Sequence, residues 1–516
     1  MPDPGAPPPS LLTPSRIETR LGTLEFDDGA PTAETAARLY DHLDFSRGVE
    51  AFLGSYRGAS IAAIRRGFRA IGVADNEVLM FSRLMDSASL FLTGNADTVY
   101  FLSFVDLGDG PMVLDVPRLT APSAVLGTID DMWFRWVTDF GAPGPDRGAG
   151  GRYLLVGPSY EGPLPDGGFH VAHARTRQVC VLGRAFMADD DPAGPAAEIR
   201  ESFRIHRYEP GAEGTAISTF LAGGPPLRPL APPPPTRFVE GSGVELNTVP
   251  PADFSYWELV DEVVQSQPAA AADPELLGLL AAVGIARGRA FAPDERLRSI
   301  LEEAAAVGNA TARTAGFAPR EKEGFGYYDE GSAWFNPLFV GGHEFLDPPP
   351  TVWPGGAAAA DSDGARKLEA RNSFFYLATG ITPAMCMYLT GVGSQYLLAA
   401  RDAAGEYLDG SRSYRLRLPA GIPHERFWSV TVYDRQTRSM LRTGQPLPRL
   451  GSQSGTVATG ADGSTEIFFG PQAPAGSESN WLQTVAGRGW FPILRFYSPT
   501  TPFFDKSWRA GEIEPV

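Results

Sequence analysis

The chain has 516 residues, which allows two to four domains of about 100–200 residues each. Hydrophobic residues make up 43% and charged residues 20%, and this excludes a mainly disordered chain because so many apolar side chains can fill large cores. With 44 Lys and Arg against 61 Asp and Glu, the net charge is −17, so we expect neither a nucleic acid nor an anionic membrane as a partner.

The N-terminal stretch, residues 1–30, is rich in proline, and we expect it to be a flexible leader. It has no basic start followed by an apolar run, so no secretory signal is predicted. No stretch of the chain approaches the roughly 20 apolar residues of a membrane helix. We therefore expect a soluble, cytoplasmic protein. Residues 31–84 are predicted to be a helical segment, because Val49, Phe52 and Tyr56 recur at helical spacing.

A β-domain is predicted over residues 85–222. Residues 98–107 are β-branched and aromatic, and residues 112–116 alternate between two faces, as in neighbouring strands of an antiparallel sheet. Residues 223–250 form a proline-rich connection that is unsuited to the interior of a sheet.

The second half predicts a helical block with loops over residues 251–369 and a β-domain over residues 370–516. Many short strands at regular spacing in the last range favour a β-sandwich or a jelly roll. The predicted fold class is therefore mainly β with helical segments, an α+β protein.

Common catalytic motifs are missing from the sequence. It has no phosphate-binding P-loop, no dinucleotide-binding glycine motif between a strand and a helix, and no serine nucleophile elbow. His170 and His173 are three residues apart in a predicted strand, where they point to opposite faces, and His206 and His343 lie elsewhere. We therefore expect no metal site and no cofactor. The two cysteines, Cys180 and Cys386, are both expected to be small buried hydrophobic side chains.

The densest polar cluster of the N-terminal β-domain precedes a buried strand. Asn95, Asp97 and Tyr100 lie there, at a loop end where functional groups often occur. We regard Asp97 as a candidate catalytic residue and Asn95 and Tyr100 as ligand-binding residues. The alternative is that Asn95 and Asp97 only cap the turn by bonding to their own backbone.

A second candidate group combines acids, aromatics and a guanidinium within a few residues. Asp130 and Asp131 are candidate catalytic residues, because burial beside aromatic rings raises the pKa of a carboxyl toward general acid or base work. Trp133 and Arg135 are assigned to ligand binding. The alternative is a structural Asp–Arg pair with the tryptophan in the core.

The second half of the chain adds Arg371, Tyr376 and Trp481 as candidate ligand-binding residues. Arg371 and Arg495 stand in apolar surroundings, and a buried arginine needs an acid or a bound anion beside it. Trp481 follows a loop rich in glycine and proline, and we expect its ring to be more exposed to solvent than those of the other C-terminal tryptophans.

Two sets of motifs resemble a known pair of domains. The motifs that resemble domain of unknown function 1254 are Leu92–Tyr100, Gly110–Pro117 and Gly151–Pro158. Those that resemble its usual partner, domain of unknown function 1214, are Phe427–Asp434, Asp462–Ser464, Gly470–Pro471 and Asn480–Trp481. The resemblance implies two β-domains with helices between them and a jelly-roll-like C-terminal part. It implies no reaction and no catalytic residue. Many relatives begin with an export signal, which is not predicted here.

Two functions from different classes are compatible with the sequence. The first is a protein with a cleft between its domains for a small-molecule or carbohydrate-like ligand, in which paired carboxylates act in hydrolase or lyase chemistry. The second is a non-catalytic binding or assembly module whose acids and arginines form structural ion pairs. Convergent acids in a pocket favour the first, and acids buried against arginines without a cavity favour the second. Homo-oligomerisation is compatible with both.

Overall fold

The computed structural model describes residues 8–209, 221–223, 233–320, 325–328, 331–336, 338, 342–346, 364–386 and 389–516. In these ranges the helices are α1 (Ala33–Ala70), α2 (Ala193–Ser202), α3 (Ser255–Ser266), α4 (Pro274–Ala282), α5 (Glu295–Phe317), α6 (Leu368–Leu377), α7 (Pro383–Cys386) and α8 (Thr501–Phe504). None of them is both long and apolar enough to cross a membrane.

The strands of the first half are β1 (Arg16–Thr19), β2 (Gly22–Asp27), β3 (Ala30–Pro31), β4 (Val78–Met80), β5 (Ser89–Leu90), β6 (Val99–Asp106), β7 (Met112–Val116), β8 (Val125–Asp131), β9 (Trp136–Gly141), β10 (Gly151–Val156), β11 (His170–His173), β12 (Gln178–Ala185), β13 (Arg204–Arg207), β14 (Phe238–Glu240) and β15 (Leu246–Asn247). Those of the second half are β16 (Ser394–Leu398), β17 (Tyr414–Leu418), β18 (His424–Asp434), β19 (Arg449–Gly451), β20 (Thr465–Gly470), β21 (Trp481–Gln483), β22 (Trp490–Pro499) and β23 (Ile513–Pro515). The predicted α+β class, with mainly β domains, is confirmed.

A small three-stranded sheet of β1, β2 and β3 lies within the range predicted to be a flexible leader. Its residues are mostly exposed, so the apolar pattern of the sequence contained no signal for it. The next element, α1, is capped by Thr32, whose hydroxyl oxygen accepts the backbone N–H of Thr35 at 3.2 Å and so satisfies one of the unpaired donors of the first turn.

The long helix α1 is buried on more than one face over its second half. It packs closely on α5 because small residues lie where the two helices meet: a Cβ added to Gly48 would lie 2.7 Å from the Cβ of Ala304, and one added to Gly308 would lie 2.6 Å from Phe52. The helices α3, α4 and α5 lie in the range that was predicted to be helical, and that prediction is confirmed.

A six-stranded sheet, the N-terminal sheet, has the order β14-β4-β6-β12-β8-β9. Nearly every residue of β6 is buried, because both faces of the sheet are covered. On one face Phe104 contacts Phe68 of α1, with ring centroids 5.7 Å apart. On the other face Phe101 contacts Phe203, at 5.0 Å, next to a four-stranded sheet of the order β11-β10-β7-β13. The edge strand β14 comes from the range predicted to be a connection.

The C-terminal region contains two four-stranded sheets. The C-terminal inner sheet has the order β16-β22-β18-β19, and the second sheet has the order β21-β20-β17-β23. Strand exceeds helix after residue 410, as predicted. Trp490 and Phe496 of β22 face the core between these sheets, where Trp490 contacts Tyr414 at 5.7 Å. The predicted jelly-roll connectivity stays a prediction.

The outer face of the C-terminal inner sheet is covered by the first half of the chain. Phe491 of β22 contacts Phe317 of α5 at 5.4 Å, and Tyr497 contacts Phe186 at 5.9 Å. The Tyr433 hydroxyl donates a hydrogen bond to the carbonyl oxygen of Gly94 at 2.7 Å. Both faces of β22 are therefore buried, and a cavity lies where the two halves do not fill the space between them.

Candidate functional site

The interdomain cavity, as we call it here, has a volume of about 160 Å³ and lies between the N-terminal sheet and the C-terminal inner sheet. Its lining from the N-terminal sheet includes Tyr100, Leu182 and Arg184. The register explains why these three lie together: Arg184 of β12 is opposite Tyr100 of β6, and Leu182 is two residues away on the same face. The C-terminal inner sheet contributes Tyr396 and Arg495.

Most of the wall is apolar. The side chains that provide it come from both halves of the chain and include Leu126, Leu182, Phe374, Leu377, Met385 and Ile493. A mainly apolar space of this kind, with polar groups at some positions, is typical of sites that bind small molecules.

Arg495 is at the polar end of the cavity and is 2% exposed. Its Nη2 donates to the carbonyl oxygen of Thr93 at 3.0 Å and to the hydroxyl of Tyr433 at 2.6 Å. Its Nε and Nη1 have no hydrogen-bond partner in the described part of the chain. Burial disfavours the charged form, but the oxygens of Tyr433 and Tyr497 and the Asp97 carboxylate outweigh it, so the pKa of Arg495 is raised and the side chain stays a cation.

Arg184 is the second cation of the cavity and is only partly buried. Its guanidinium carbon lies 5.9 Å from the centre of the Tyr100 ring. Burial lowers the pKa of Arg184, whereas the oxygens of Tyr100, Tyr396 and Tyr497 raise it, and the net shift is upward. No carboxylate lies within ion-pair distance of this guanidinium in the described ranges. A side-chain hydrogen bond with Tyr396 contributes to this upward shift, and because a guanidinium carries five N–H donors, others are available to a ligand.

Two of the predicted ligand-binding residues, Asn95 and Tyr100, line this cavity. The Oδ1 of Asn95 accepts the backbone N–H of Asp97 at 3.0 Å and the hydroxyl of Thr98 at 3.3 Å, so Asn95 caps the turn. Its Nδ2 donates to the Tyr100 hydroxyl at 2.9 Å. Asn95 therefore has a structural contact and a position at the cavity wall at the same time.

Asp97 lies behind the wall and does not line the cavity. It is fully buried, and its Oδ2 accepts hydrogen bonds from Ser429 Oγ at 2.6 Å and from the hydroxyl of Tyr497 at 3.1 Å. Its Oδ1 lies 3.9 Å from Nε of Arg449, which also pairs with Asp190. The contacts of Asp97 thus connect the turn before β6 to the C-terminal inner sheet.

Asp130 and Asp131 are also buried away from the cavity. Asp130 accepts the backbone N–H of Ile381 at 2.9 Å, and burial, with the neighbouring Asp131 and Asp139 charges, holds its pKa well above the ordinary value. Asp131 accepts the backbone N–H groups of Trp133 at 2.8 Å and Arg135 at 3.0 Å, so it caps the turn between β8 and β9. Burial raises the pKa of Asp131 as well.

The remaining predicted ligand-binding residues are distributed over the molecule. Trp133 is 1% exposed and packs on Gly58, and Arg135 donates through Nη1 to the carbonyl oxygen of Ala271 at 2.7 Å. The guanidinium carbon of Arg438 lies over the ring of Tyr376, 4.1 Å from the ring centre. The structure does not bring these side chains into the interdomain cavity.

Arg371 and Trp481 lie in two further regions. Arg371 lines a cavity of about 790 Å³ between α1, α4, α5 and α6, together with Arg57. Burial and the nearby Arg366 charge lower the pKa of Arg371 to about 10. Trp481, in the second C-terminal sheet, donates through Nε1 to the carbonyl oxygen of Gly470 at 3.0 Å. In the described ranges no three His, Cys, Asp or Glu side chains lie close enough together to hold a metal ion.

Comparison with known proteins gives two family matches. The protein family of unknown function DUF1254 matches residues 76–207, and the protein family of unknown function DUF1214 matches residues 393–501. The order of the pair is the one predicted from the sequence motifs. No curated protein matches the chain.

One solved structure shows a shared fold. The crystal structure of the VPA0106 protein from Vibrio parahaemolyticus is 18% identical, with a TM-score of 0.51, and the match covers 92% of this chain and 100% of that one. An uncharacterised protein from Burkholderia cenocepacia is 13% identical, with a TM-score of 0.39, over 94% of this chain and 97% of that one. At 18% identity the first likeness concerns the fold alone.

Proposed function

We propose that this chain, which has a DUF1254 region followed by a DUF1214 region, binds a small molecule in the interdomain cavity. The observation that supports this most is the composition of the cavity: apolar walls from both halves of the chain, with the guanidinium groups of Arg184 and Arg495 close to the rings of Tyr100 and Tyr396. Such an arrangement orients a ligand by its polar end and excludes water from the rest of it.

Binding is better supported than hydrolase or lyase chemistry. Paired-carboxylate catalysis needs acids that reach the ligand. The candidate acids Asp97, Asp130 and Asp131 are instead bonded to backbone or side-chain groups behind the wall. The apolar wall also favours a compact apolar molecule over a glycan, whose many hydroxyl groups would need partners.

A cavity-filling variant tests the proposal. Leu182→Phe adds a ring within the interdomain cavity, and we expect it to abolish the rise in melting temperature that small aromatic compounds, such as benzyl alcohol and benzoate, cause in the parent protein. Leu279→Phe is a matched control, because Leu279 is also partly exposed and lines the separate cavity between the helices. It should respond like the parent. An unchanged response of Leu182→Phe would exclude the interdomain cavity as the binding site.

A further inference from the structure

We infer that the ligand of the interdomain cavity is a small carboxylate with one ring or a branched alkyl group, bound by Arg184 and the hydroxyl of Tyr100. This inference rests on the proposed function and adds the chemical class of the ligand. It follows from the charge of the cavity, from its hydrogen-bond donors and from its size.

The charge of the cavity favours an anion. Among the described residues, its lining contains the guanidinium groups of Arg184 and Arg495 and no carboxylate. Asp97, behind the wall, contributes to the field at Arg495, but its Oδ1 also lies 3.9 Å from Nε of Arg449. A negatively charged group on the ligand gives the two lining guanidinium groups a counter-charge, and cations buried without one are costly.

The donors at the polar end also fit an acceptor-only group. Because Oδ1 of Asn95 accepts the backbone N–H of Asp97, its amide nitrogen must face Tyr100, to which it donates. The Tyr100 oxygen is thereby an acceptor, and its own proton points elsewhere, with no acceptor in the described part of the chain. Tyr100 and Arg184 lie opposite each other on neighbouring strands. A carboxylate placed between them accepts charge-assisted hydrogen bonds from both, whereas an alcohol hydroxyl accepts without a charge and an ammonium group accepts from neither.

The size of the cavity limits the rest of the ligand. A volume of about 160 Å³ is close to the roughly 150 Å³ of an apolar protein cavity that holds one benzene molecule. This limits the apolar part of the ligand to about one ring or a branched chain of similar size, in contact with Leu182, Phe374 and Ile493. A long-chain fatty acid or a nucleotide is too large. Benzoate and 2-methylbutanoate are therefore suitable probes.

Matched acids and alcohols test the inference. We expect benzoate to bind at least about tenfold more tightly than benzyl alcohol in isothermal titration calorimetry. Benzyl alcohol has no carboxylate and therefore cannot form the charge-assisted hydrogen bond. Arg184→Met keeps the aliphatic stem and removes the charge, and it should reduce this preference to near unity. Tyr100→Phe removes one donor and keeps the ring, so it should reduce benzoate affinity by about three- to tenfold. Arg417→Met, at an exposed ion pair with Asp462, is the control and should behave like the parent.

The outcomes separate the inference from the proposed function. If benzyl alcohol binds as well as benzoate, or if Arg184→Met and Tyr100→Phe keep the full preference for the acid, the carboxylate inference is wrong and the binding cavity stands. If neither acids nor alcohols bind the parent, both are wrong. Should Arg184→Met fail to fold, Tyr100→Phe alone decides, since it preserves the shape of the wall.

Discussion

At the scale of single residues, the protonation state of Asp139 changes with pH, and this side chain is bonded to a segment that borders the cavity. Both of its oxygens lie 2.6 Å from Oγ1 of Thr382, a cavity-lining residue, and Oδ1 also accepts from Nε1 of Trp136 at 3.2 Å. Burial raises the pKa of Asp139 to about 6, although these hydrogen bonds act in the opposite direction. In the folded protein this carboxyl therefore holds its proton at a pH at which the unfolded chain has lost it.

The sign of the effect on stability follows from this difference. Between about pH 4 and pH 6 the native state binds more protons than the unfolded state, so the contribution of Asp139 to stability falls as the pH rises through that window and is constant above it. We expect Asp139→Asn to be more stable than the parent at pH 7, by up to about 3 kcal/mol, and to differ much less at pH 4. Urea unfolding at the two values measures this. Asp166→Asn, at an exposed site, is the control. If the difference in free energy of unfolding between Asp139→Asn and the parent does not change with pH, the prediction is wrong.

The residues of the site were only partly predictable from the sequence. Asn95 and Tyr100 were found because a polar turn before a buried strand is visible in one local stretch, and Arg495 was noticed as an arginine among apolar neighbours. Arg184 was missed, although it stands in an equally apolar strand. The contact between Arg184 and Tyr396 depends on how two sheets that are far apart in the sequence pack against each other. No local sequence pattern contains that information. Whether Asp97 has any catalytic role stays a prediction.

At the scale of elements, close packing between α1 and α5 gives a paired prediction about glycine. Gly308 of α5 lies against Phe52, and a Cβ there would come within 2.6 Å of its ring. We expect Gly308→Ala to destabilise the protein by about 1–3 kcal/mol, because a buried side chain must move. Gly278 of α4 has open space around it, so Gly278→Ala should stabilise the protein by about 0.5–1 kcal/mol through helix propensity. Equal effects of both substitutions in thermal unfolding would show that the helices are not in close contact.

The sequence predicted those elements whose apolar period was strong. Helices α3 and α5 and strand β6 each have a regular apolar pattern, so the type of each element and its position in the chain were evident. The sheet of β1, β2 and β3 escaped, because its residues are exposed and gain their order from pairing. Strand β14 lies close to a proline-rich stretch and has only half-buried residues, and it becomes a strand because β4 offers it an edge to pair with.

At the scale of the whole molecule, the two halves share one apolar core. Phe491 of β22 belongs to the same cluster of buried side chains as Phe317 of α5 and Phe52 of α1. The backbone adds to this, since the N–H of Thr93 donates to the carbonyl oxygen of Arg438 at 2.7 Å. The sequence indicated two β-domains. The structure shows that the face of the C-terminal inner sheet that carries Phe491 belongs to the same core as the N-terminal half. The interdomain cavity is thus a gap within a common core.

A shared core predicts cooperative unfolding of both halves. Phe491 is 1% exposed and lies 5.4 Å from Phe317, so Phe491→Ala and Phe317→Ala each leave a cavity at the same contact, at a cost of about 3–5 kcal/mol. We expect the parent to give one calorimetric transition over the described core and each variant to shift that whole transition to lower temperature. Independent domains would behave differently: Phe491→Ala would lower a C-terminal transition alone, and Phe317→Ala an N-terminal one. Two separable transitions, each sensitive to only one of these substitutions, would therefore disprove the common core and with it the enclosure of the cavity by both halves.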